Sequence, residues 1–533
     1  MSDSWKVVNE LPAPSVTSSQ ACTIPTPPRH DTFCPLFESE NVGSPRLRPC
    51  PGTVTVTELV IPDDEVLQNS SLIQRLTAAA KDAALLQGVL MRTKEDPNSS
   101  ETINYAPFTL FPSPVPTRLF TQAFEVQQDF NVLVDKISMD SEFLKQALAS
   151  TIEADGFTAR LFSIHSQVLE EGITQPITLG VNRSDYMFDK RHSESATLKQ
   201  VEINTIAAGL AGLASRIPEV HRHVFNVWGK PDKAAKILNN KAVEGICKGI
   251  TKAWQLYGSH EAVVLFLVER ISKNIFDQRC LEMNLWNRNL RVIRRQMLEI
   301  YERGTLDDSK RLLVDGYEVA VVYFRTGYSP DDYLNEECWI ARLMIERSMA
   351  IKCPNIATHL VGTKKIQQEL AREGVLENYL SDDPAAVERI RATFVGLYSI
   401  DEGPEGDEII AKALEDPGAY VLKPQREGGG NNIFDEELAH VLGHIKGDSQ
   451  RSAYILMDRF KPQVVKNYLL HPGAAVELLE CTPELGMFGV YIRNCNRLSM
   501  NMCAGHLLRT KSMKFADGVV SDGVVALDTP YLV

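Results

Sequence analysis

The stretch Leu422-Lys423-Pro424-Gln425-Arg426-Glu427-Gly428-Gly429-Gly430-Asn431-Asn432, preceded by the strand-like Ala419-Tyr420-Val421, decides how the rest of the chain is read. Three successive glycines admit backbone conformations closed to other residues and let the chain approach a ligand closely. Lys423, Arg426 and Glu427 bring charges of both signs to the same place. That combination suits phosphate and a metal ion. It is not a P-loop, because no Gly-Lys-Ser/Thr follows the glycines, and it lacks the GxGxxG spacing of a dinucleotide fingerprint.

Working outward, the body is long enough for two or more packed units, at 533 residues. With 56 Lys and Arg against 69 Asp and Glu, the net charge is −13. No overall positive field is available to hold nucleic acid or an anionic membrane, so an anionic substrate must be met by local cations. The longest apolar run, Ile206 to Ala214, contains two glycines and is far below membrane-spanning length. Ten cysteines without a CxxC pair read as reduced thiols of a cytoplasmic enzyme. His440 and His444 have metal-ligand spacing, but Val441 stands where an HExxH glutamate would be, so they read as surface or groove residues.

Residues 1–66 are rich in Pro and Ser, with little periodicity, and are expected to form a disordered tail without an h-region or a transit-peptide pattern. From Ser71 the spacing predicts a helix with Leu72, Leu76 and Ala79 on one face. Further helices are expected over Thr121 to Ile137 and Thr158 to Leu169, the last with Leu161, Ile164, Val168 and Leu169 as its stripe.

Leu179 to Phe188, LGVNRSDYMF, reads as a short apolar strand with Arg183 and Ser184 just beyond it, the usual place for ligand contacts in an α/β protein. In Val201 to Ile206 the strand period of two turns Glu202 and Asn204 to one face. A carboxylate and an amide oxygen side by side suit Mg²⁺, and equally fit a solvated strand face. Val263 to Val268 reads as a buried strand, followed by Asn274 and Gln278 at helical spacing and a basic helix through Arg291, Arg294 and Arg295. Val319 to Phe324 ends in the turn Arg325-Thr326-Gly327-Tyr328, and the alternation predicts a small α/β unit. A helix could begin at Lys364-Lys365, and Asp407 to Leu414 is amphipathic. Strands are expected over Tyr454 to Phe460, Val476 to Leu479 and Phe488 to Arg493; in Leu507 to Lys511 the same period sets Arg509 and Lys511 on one side.

In order and spacing, NRSDYMF, VEINTI, NIFDQ, YFRTGY, GTKK, LKPQREGGGNN, ELGMFGVY and LLRTK make the chain resemble the eukaryotic glutathione synthetases from about Leu72 to Val533. The resemblance implies an α/β ATP-grasp fold with a body over 67–533, an inserted substrate-binding domain over 262–363, a glycine-rich lid over 420–460 and a second mobile loop over 516–523. It implies a cytoplasmic homodimer that joins γ-glutamylcysteine to glycine through an acyl phosphate, with ATP as co-substrate and Mg²⁺ as cofactor, and without nucleic acid or membrane partners. Glu202, Asn204 and Glu427 match the family's metal ligands.

Nucleotide contacts would fall on Glu202, Lys364, Lys423, Pro424, Gln425, Arg426, Glu427, Gly428, Gly429, Gly430, Asn431, Asn432, Phe434, Met457, Asp458, Arg459, Phe460, Glu484, Lys511 and Asp517. Substrate contacts would fall on Arg183, Ile206, Ala207, Ala208, Gly209, Ser272, Asn274, Gln278, Arg325, Tyr328, Arg509, Val520 and Ser521. Arg509 and Glu427 are the expected catalytic pair. Three departures stand out: Phe434 replaces a tyrosine, the loop reads DGVVSDG, and Ser272 stands where the family usually has Glu. Dipeptide affinity is therefore expected to fall unless Glu269 or Glu282 supplies the acid. Competing readings are a related synthetase taking β-alanine or another amine, and a catalytically silent nucleotide-binding regulatory protein.

Overall fold

The computed structural model describes residues 64–427, 430–514, 520 and 524–533. The tail before residue 64, Gly428, Gly429, Asp517, Ser521 and most of the 516–523 loop therefore lie outside the described residues.

The first helix, Ser70–Leu86, is capped by Asn69, whose side chain accepts from the Leu72 amide at 3.1 Å. Its buried face runs through Ile73, Leu76, Ala80, Ala83 and Ala84, so Leu72 and Ala79 lie at the margin of the stripe instead of its centre. Helix Thr117–Ser138 follows, then Gly156–Glu171, where Asp155 caps the Thr158 amide at 2.8 Å. In the latter Leu161, Ile164 and Val168 are buried as the spacing requires, whereas Leu169 is turned outward.

Three strands, β1 (Phe108–Thr109), β2 (Thr178–Asp189) and β3 (Thr197–Asn204), open the main sheet. All twelve residues of β2 are buried. Arg183 and Ser184 thus sit in the middle of a long strand, not beyond a short one. The polar residues of LGVNRSDYMF imitate a strand end although both faces of β2 are covered and all of its residues are buried.

The chain then builds a second sheet from β4 (Val263–Leu267), β5 (Val292–Arg295), β6 (Gly304–Leu306), β7 (Leu312–Val314), β8 (Tyr317–Phe324) and β9 (Ile351–Cys353). β4 pairs in parallel with both β5 and β8, and its five apolar residues are wholly buried, as expected of a parallel strand covered on both faces. The basic segment is therefore a strand, not a helix. Arg291, Arg294 and Arg295 mimic helical spacing, but buried Val292 and Ile293 pair beside Val264 and Leu265. Helix Ile275–Trp286 lies between β4 and β5 in the chain, with Asn274 at its cap position.

A third, three-stranded antiparallel sheet contains β10 (Leu397–Ser399), β11 (Tyr420–Pro424) and β12 (Tyr454–Asp458) in the order β10-β12-β11. Helices Pro404–Glu415 and Asp435–Ile445 pack on it, and His440 and His444 are both exposed.

Finally the chain returns to the main sheet with β13 (Val465–Leu470), β14 (Leu478–Asn494), β15 (Arg497–Ser512) and β16 (Val525–Asp528). The order is β13-β1-β16-β15-β14-β2-β3, with a further pairing of β13 to the start of β14. Val476 and Ala475 precede β14, so the expected Val476–Leu479 strand starts at Leu478 and runs on through Phe488 to Arg493.

Several histidines are buried in this scaffold. His221, on helix Ile217–Trp228, has one ring nitrogen 2.8 Å from the Thr109 carbonyl of β1, and the other without a partner. Burial lowers its pKa to about 4, the bond to Thr109 opposing this. His165 and His506 are also lowered to about 4 by burial. Because the unfolded chain takes up protons near pH 6.5 and these folded sites do not until about 4, stability should be full above the former value and fall as pH drops between the two. His221→Phe should flatten the decline of melting temperature between pH 7 and 5, measured against wild type; an unchanged slope would remove His221 from the account.

Candidate functional site

A cavity of about 350 Å³ opens where the main sheet meets the second sheet. Arg183 and Glu202 reach it from β2 and β3, Arg325 and Tyr328 from the turn after β8, Arg509 from β15, and Glu427 from the glycine-rich loop. Asn204, Ile206, Ala207, Ala208, Gly209, Ser272, Asn274 and Val520 complete the expected residues in its lining.

The arginines are held by acids beneath them. Asp185, on the same face of β2 as Arg183, accepts from Arg183 Nε at 2.7 Å and from Arg509 at 3.1 Å. The Asn204 amide nitrogen donates to the same carboxylate at 3.0 Å, which leaves the amide oxygen as that side chain's remaining polar group. Asp277 accepts from Arg325 at 3.1 Å and from the amides of Leu210 and Gly212 at 2.9 and 2.7 Å. Arg325 and Arg183 in turn donate to the carbonyls of Ala207 and Gly209, each at 3.1 Å. Ala207 and Leu210 take positive φ of 50° and 73°, an uncommon conformation that these contacts fix in place.

Toward the glycine-rich loop, Lys364 opens helix Lys364–Leu370, with its ammonium 3.0 Å from Glu202 and 3.7 Å from Glu427. All three are buried in the same small volume. Burial raises the Glu202 pKa, but Lys364 and Lys423 overcome this and hold the carboxyl well below the usual range. Glu427 goes the other way, because burial and the Glu202 charge outweigh Lys364. Its Oε2 has no hydrogen-bond partner.

Two carboxylates and an amide oxygen, one carboxylate oxygen unpartnered, are a donor set that fits a divalent cation completed by phosphate oxygens and water. Among the described residues no cluster of three or more His, Cys, Asp and Glu offers an alternative. Lys423 on β11 reaches the Val201 carbonyl at 3.1 Å, Gln425 accepts from the Lys365 amide at 3.1 Å, and Arg426 pairs with Asp155 at 2.6 Å.

A model of the eukaryotic glutathione synthase ATP-binding domain matches residues 70–532. A glutathione synthetase from Xenopus laevis is 56% identical over 470 residues, covering 88% of this chain and 99% of that protein. The chain belongs to the eukaryotic glutathione synthetase family. The Homo sapiens glutathione synthetase is 54% identical over 466 residues, 87% of this chain and 98% of that one. Among solved structures, a glutathione synthetase-like effector from Globodera pallida, in apo form, superposes with a TM-score of 0.71 at 26% identity, covering 88% of this chain and 99% of its own.

With the chain a glutathione synthetase by family, the expected residues divide by position. Gln278 stands behind Ser272 instead of in the lining, donating to its hydroxyl at 3.1 Å. Glu484 pairs with Arg509, and Lys511 follows two residues further along β15. Met457 is buried in the third sheet, and Asp458 accepts from Tyr398 at 3.1 Å and from the Gly396 amide at 3.0 Å. Arg459 lies over the Phe434 ring at 5.5 Å. These four, with Phe460, do not line the 350 Å³ cavity.

Reasoning from the residues missed Asp185 and Asp277, and named Glu269 only as one of two acids that could stand in at Ser272. Asp185 was detectable, since Arg183 and Asp185 two apart in a strand share a face. Asp277 carried no such signal, because its partners Leu210, Gly212 and Arg325 come from distant segments.

For Glu427 a carboxyl whose folded pKa is raised opposes folding once pH exceeds that value. Glu427→Gln should therefore raise the melting temperature of the ligand-free protein at pH 8 while weakening Mg²⁺ binding in a calorimetric titration. A lower melting temperature would show that the Lys364 contact outweighs burial and repulsion.

Proposed function

We propose that this chain catalyses the ATP-dependent ligation of γ-glutamylcysteine to glycine, forming glutathione with release of ADP and phosphate. The observation that carries the reading is the joining of the Arg183–Arg509 pair to the Lys364–Glu202–Glu427 cluster across one strand face, within a chain matched over nearly its whole body by glutathione synthetases. Attack of the dipeptide carboxylate on the γ-phosphoryl of ATP brings anions together, and in-line transfer needs that repulsion cancelled. Arg183 and Arg509 would bind and orient the attacking carboxylate, with Lys364 and Lys423 facing the phosphates. Glu202, Asn204 and Glu427 would hold Mg²⁺, which when bound neutralises phosphate charge. The product of this step is an acyl phosphate. The glycine amine then attacks its carbonyl carbon, the C–N bond forms, and the carbonyl–oxygen bond breaks with release of phosphate.

Water would destroy the acyl phosphate, so closure matters. We assign the lid role to the 420–460 region with its glycine-rich loop and to the 516–523 loop, and substrate binding to the 262–363 insert. The second sheet, whose strands span 263–353, supports the last boundary. The seven described cysteines are free thiols and six are buried, which supports the cytoplasm as the compartment. No described helix is long and apolar enough to cross a membrane.

Homodimer formation is supported by exposed Leu85, Leu86, Ile103, Met283 and Trp286 on helix Ser70–Leu86, strand Ile103–Tyr105 and helix Ile275–Trp286, elements linked through strand Leu90–Arg92. Sedimentation of the purified protein at micromolar concentration should give twice the chain mass, and a monomer would exclude this arrangement. For the reaction, a coupled assay should show ADP in proportion to tripeptide, and only with dipeptide, glycine, ATP and Mg²⁺ together. ATP hydrolysis without peptide product would sink the assignment.

A further inference from the structure

The cavity is lined by one acid that has no ion-pair partner among the described residues. Of the three lining carboxylates, Glu202 and Glu427 face Lys364. The third, Glu269, follows β4 and has no Lys, Arg or His nitrogen within ion-pair distance among the described residues. Each lining arginine is ion-paired with another acid, Arg183 with Asp185, Arg325 with Asp277 and Arg509 with Glu484, and Lys273, which also lines the cavity, forms no ion pair with Glu269.

Among the described residues one hydrogen bond reaches the Glu269 carboxylate, from Ser272, and it sets the orientation. Arg294 donates to Gln278 Oε1 at 2.6 Å, and a guanidinium can only donate, so the Gln278 amide must present its NH₂ group at the other end. That group donates to Ser272 Oγ at 3.1 Å, which in turn points the serine hydroxyl at Glu269 Oε1, 3.4 Å away. The chain of donors runs one way, from a buried cation to the acid, and leaves Glu269 Oε2 for a ligand. Glu282, the other candidate acid, is committed to Arg279 and Arg294 and does not line the cavity. Burial raises the Glu269 pKa, with Arg325 opposing and Asp332 adding to the rise, so a cation arriving there would relieve an existing penalty.

We infer that Glu269 is the specificity residue that receives the α-ammonium of the dipeptide, and that Ser272 positions it. The inference rests on the proposed function, because γ-glutamylcysteine carries one ammonium and two carboxylates. The lining sets Arg183, Lys273, Arg325 and Arg509 beside Glu269, groups of both signs for the carboxylates and the ammonium of the dipeptide. The missing carboxylate at Ser272 is thereby supplied from three residues upstream, and Ser272 has become the hydrogen-bond donor that aims it.

The probes are γ-glutamylcysteine and N-glutarylcysteine, which has the same skeleton without the amine. Calorimetric titration of the full-length wild-type protein should show the first binding about tenfold or more tighter, the scale expected of a hydrogen-bonded charge pair. Glu269→Gln should bring the two affinities together by weakening the dipeptide and leaving the glutaryl compound nearly unchanged, which a general structural defect would not do. Ser272→Glu should not increase the preference. A wild type indifferent to the amine, a Glu269→Gln protein that keeps the preference, or a Ser272→Glu protein that gains in it would each overturn the inference. Loss of tripeptide synthesis with the binding preference intact would instead count against the proposed reaction alone.

Discussion

Asp185 is the constraint on which the site depends. It is fully buried, and three functional side chains, Arg183, Asn204 and Arg509, end on its two oxygens from β2, β3 and β15. A lone carboxylate in that position would be untenable, and two arginines without it would repel each other. Breaking such a buried pair costs about 3–5 kcal/mol because the surviving charge stays in the interior. The surrounding sequence bends to it. Gly486 of β14 pairs opposite Asp185, where a Cβ would stand 2.7 Å from Asp185 Oδ1 and 2.9 Å from Arg183 Cδ. The first glycine of ELGMFGVY is therefore a clearance for the ion pair.

Around Lys364 the logic is reversed. Asp185 satisfies its neighbours, whereas the single ammonium of Lys364 serves two carboxylates and satisfies one of them well. The result is an arrangement in which Glu202 is held by Lys364 and Lys423 while Glu427 keeps one oxygen without a hydrogen-bond partner. Unsatisfied polar atoms in a dry interior are costly, and they recur where a ligand completes the set. The two clusters thus differ in kind: around Asp185 the arginines are fully paired, whereas around Lys364 one carboxylate oxygen is left unpartnered.

How far the sequence disclosed this depended on whether a residue's partner lay nearby in the chain. Glu202 and Asn204 were legible because the strand period alone sets them on one face, and helix Lys364–Leu370 begins at the residue where two lysines were expected to start it. Segments failed where tertiary cover overrode local pattern. β2 looked short because buried polar residues resemble an exposed end, and β5 looked helical because arginines three and four apart satisfy the helical period. The Arg294–Gln278–Ser272–Glu269 chain joins β5, a helix and a loop. No spacing rule encodes it, so Ser272 read from sequence alone was only a missing acid.

Lys364 and Lys365 connect the site to the third sheet. Lys364 points at the carboxylates, while the adjacent ammonium of Lys365 reaches Asp401 at 2.6 Å and Ser399 at 3.0 Å, at the end of β10. The Lys365 amide also donates to Gln425, two residues before Glu427. Side chains on consecutive helical residues diverge by about 100°, so one short helix addresses both the charge cluster and the small sheet without bending. Since Lys365 is buried against two carboxylates, Glu369 and Asp401, moving β10 relative to the helix must break a desolvated ion pair or carry the helix along. The second course displaces Lys364 from Glu202. Displacement of β10 and displacement of the Lys364 ammonium are therefore mechanically coupled, through two adjacent lysines with different partners.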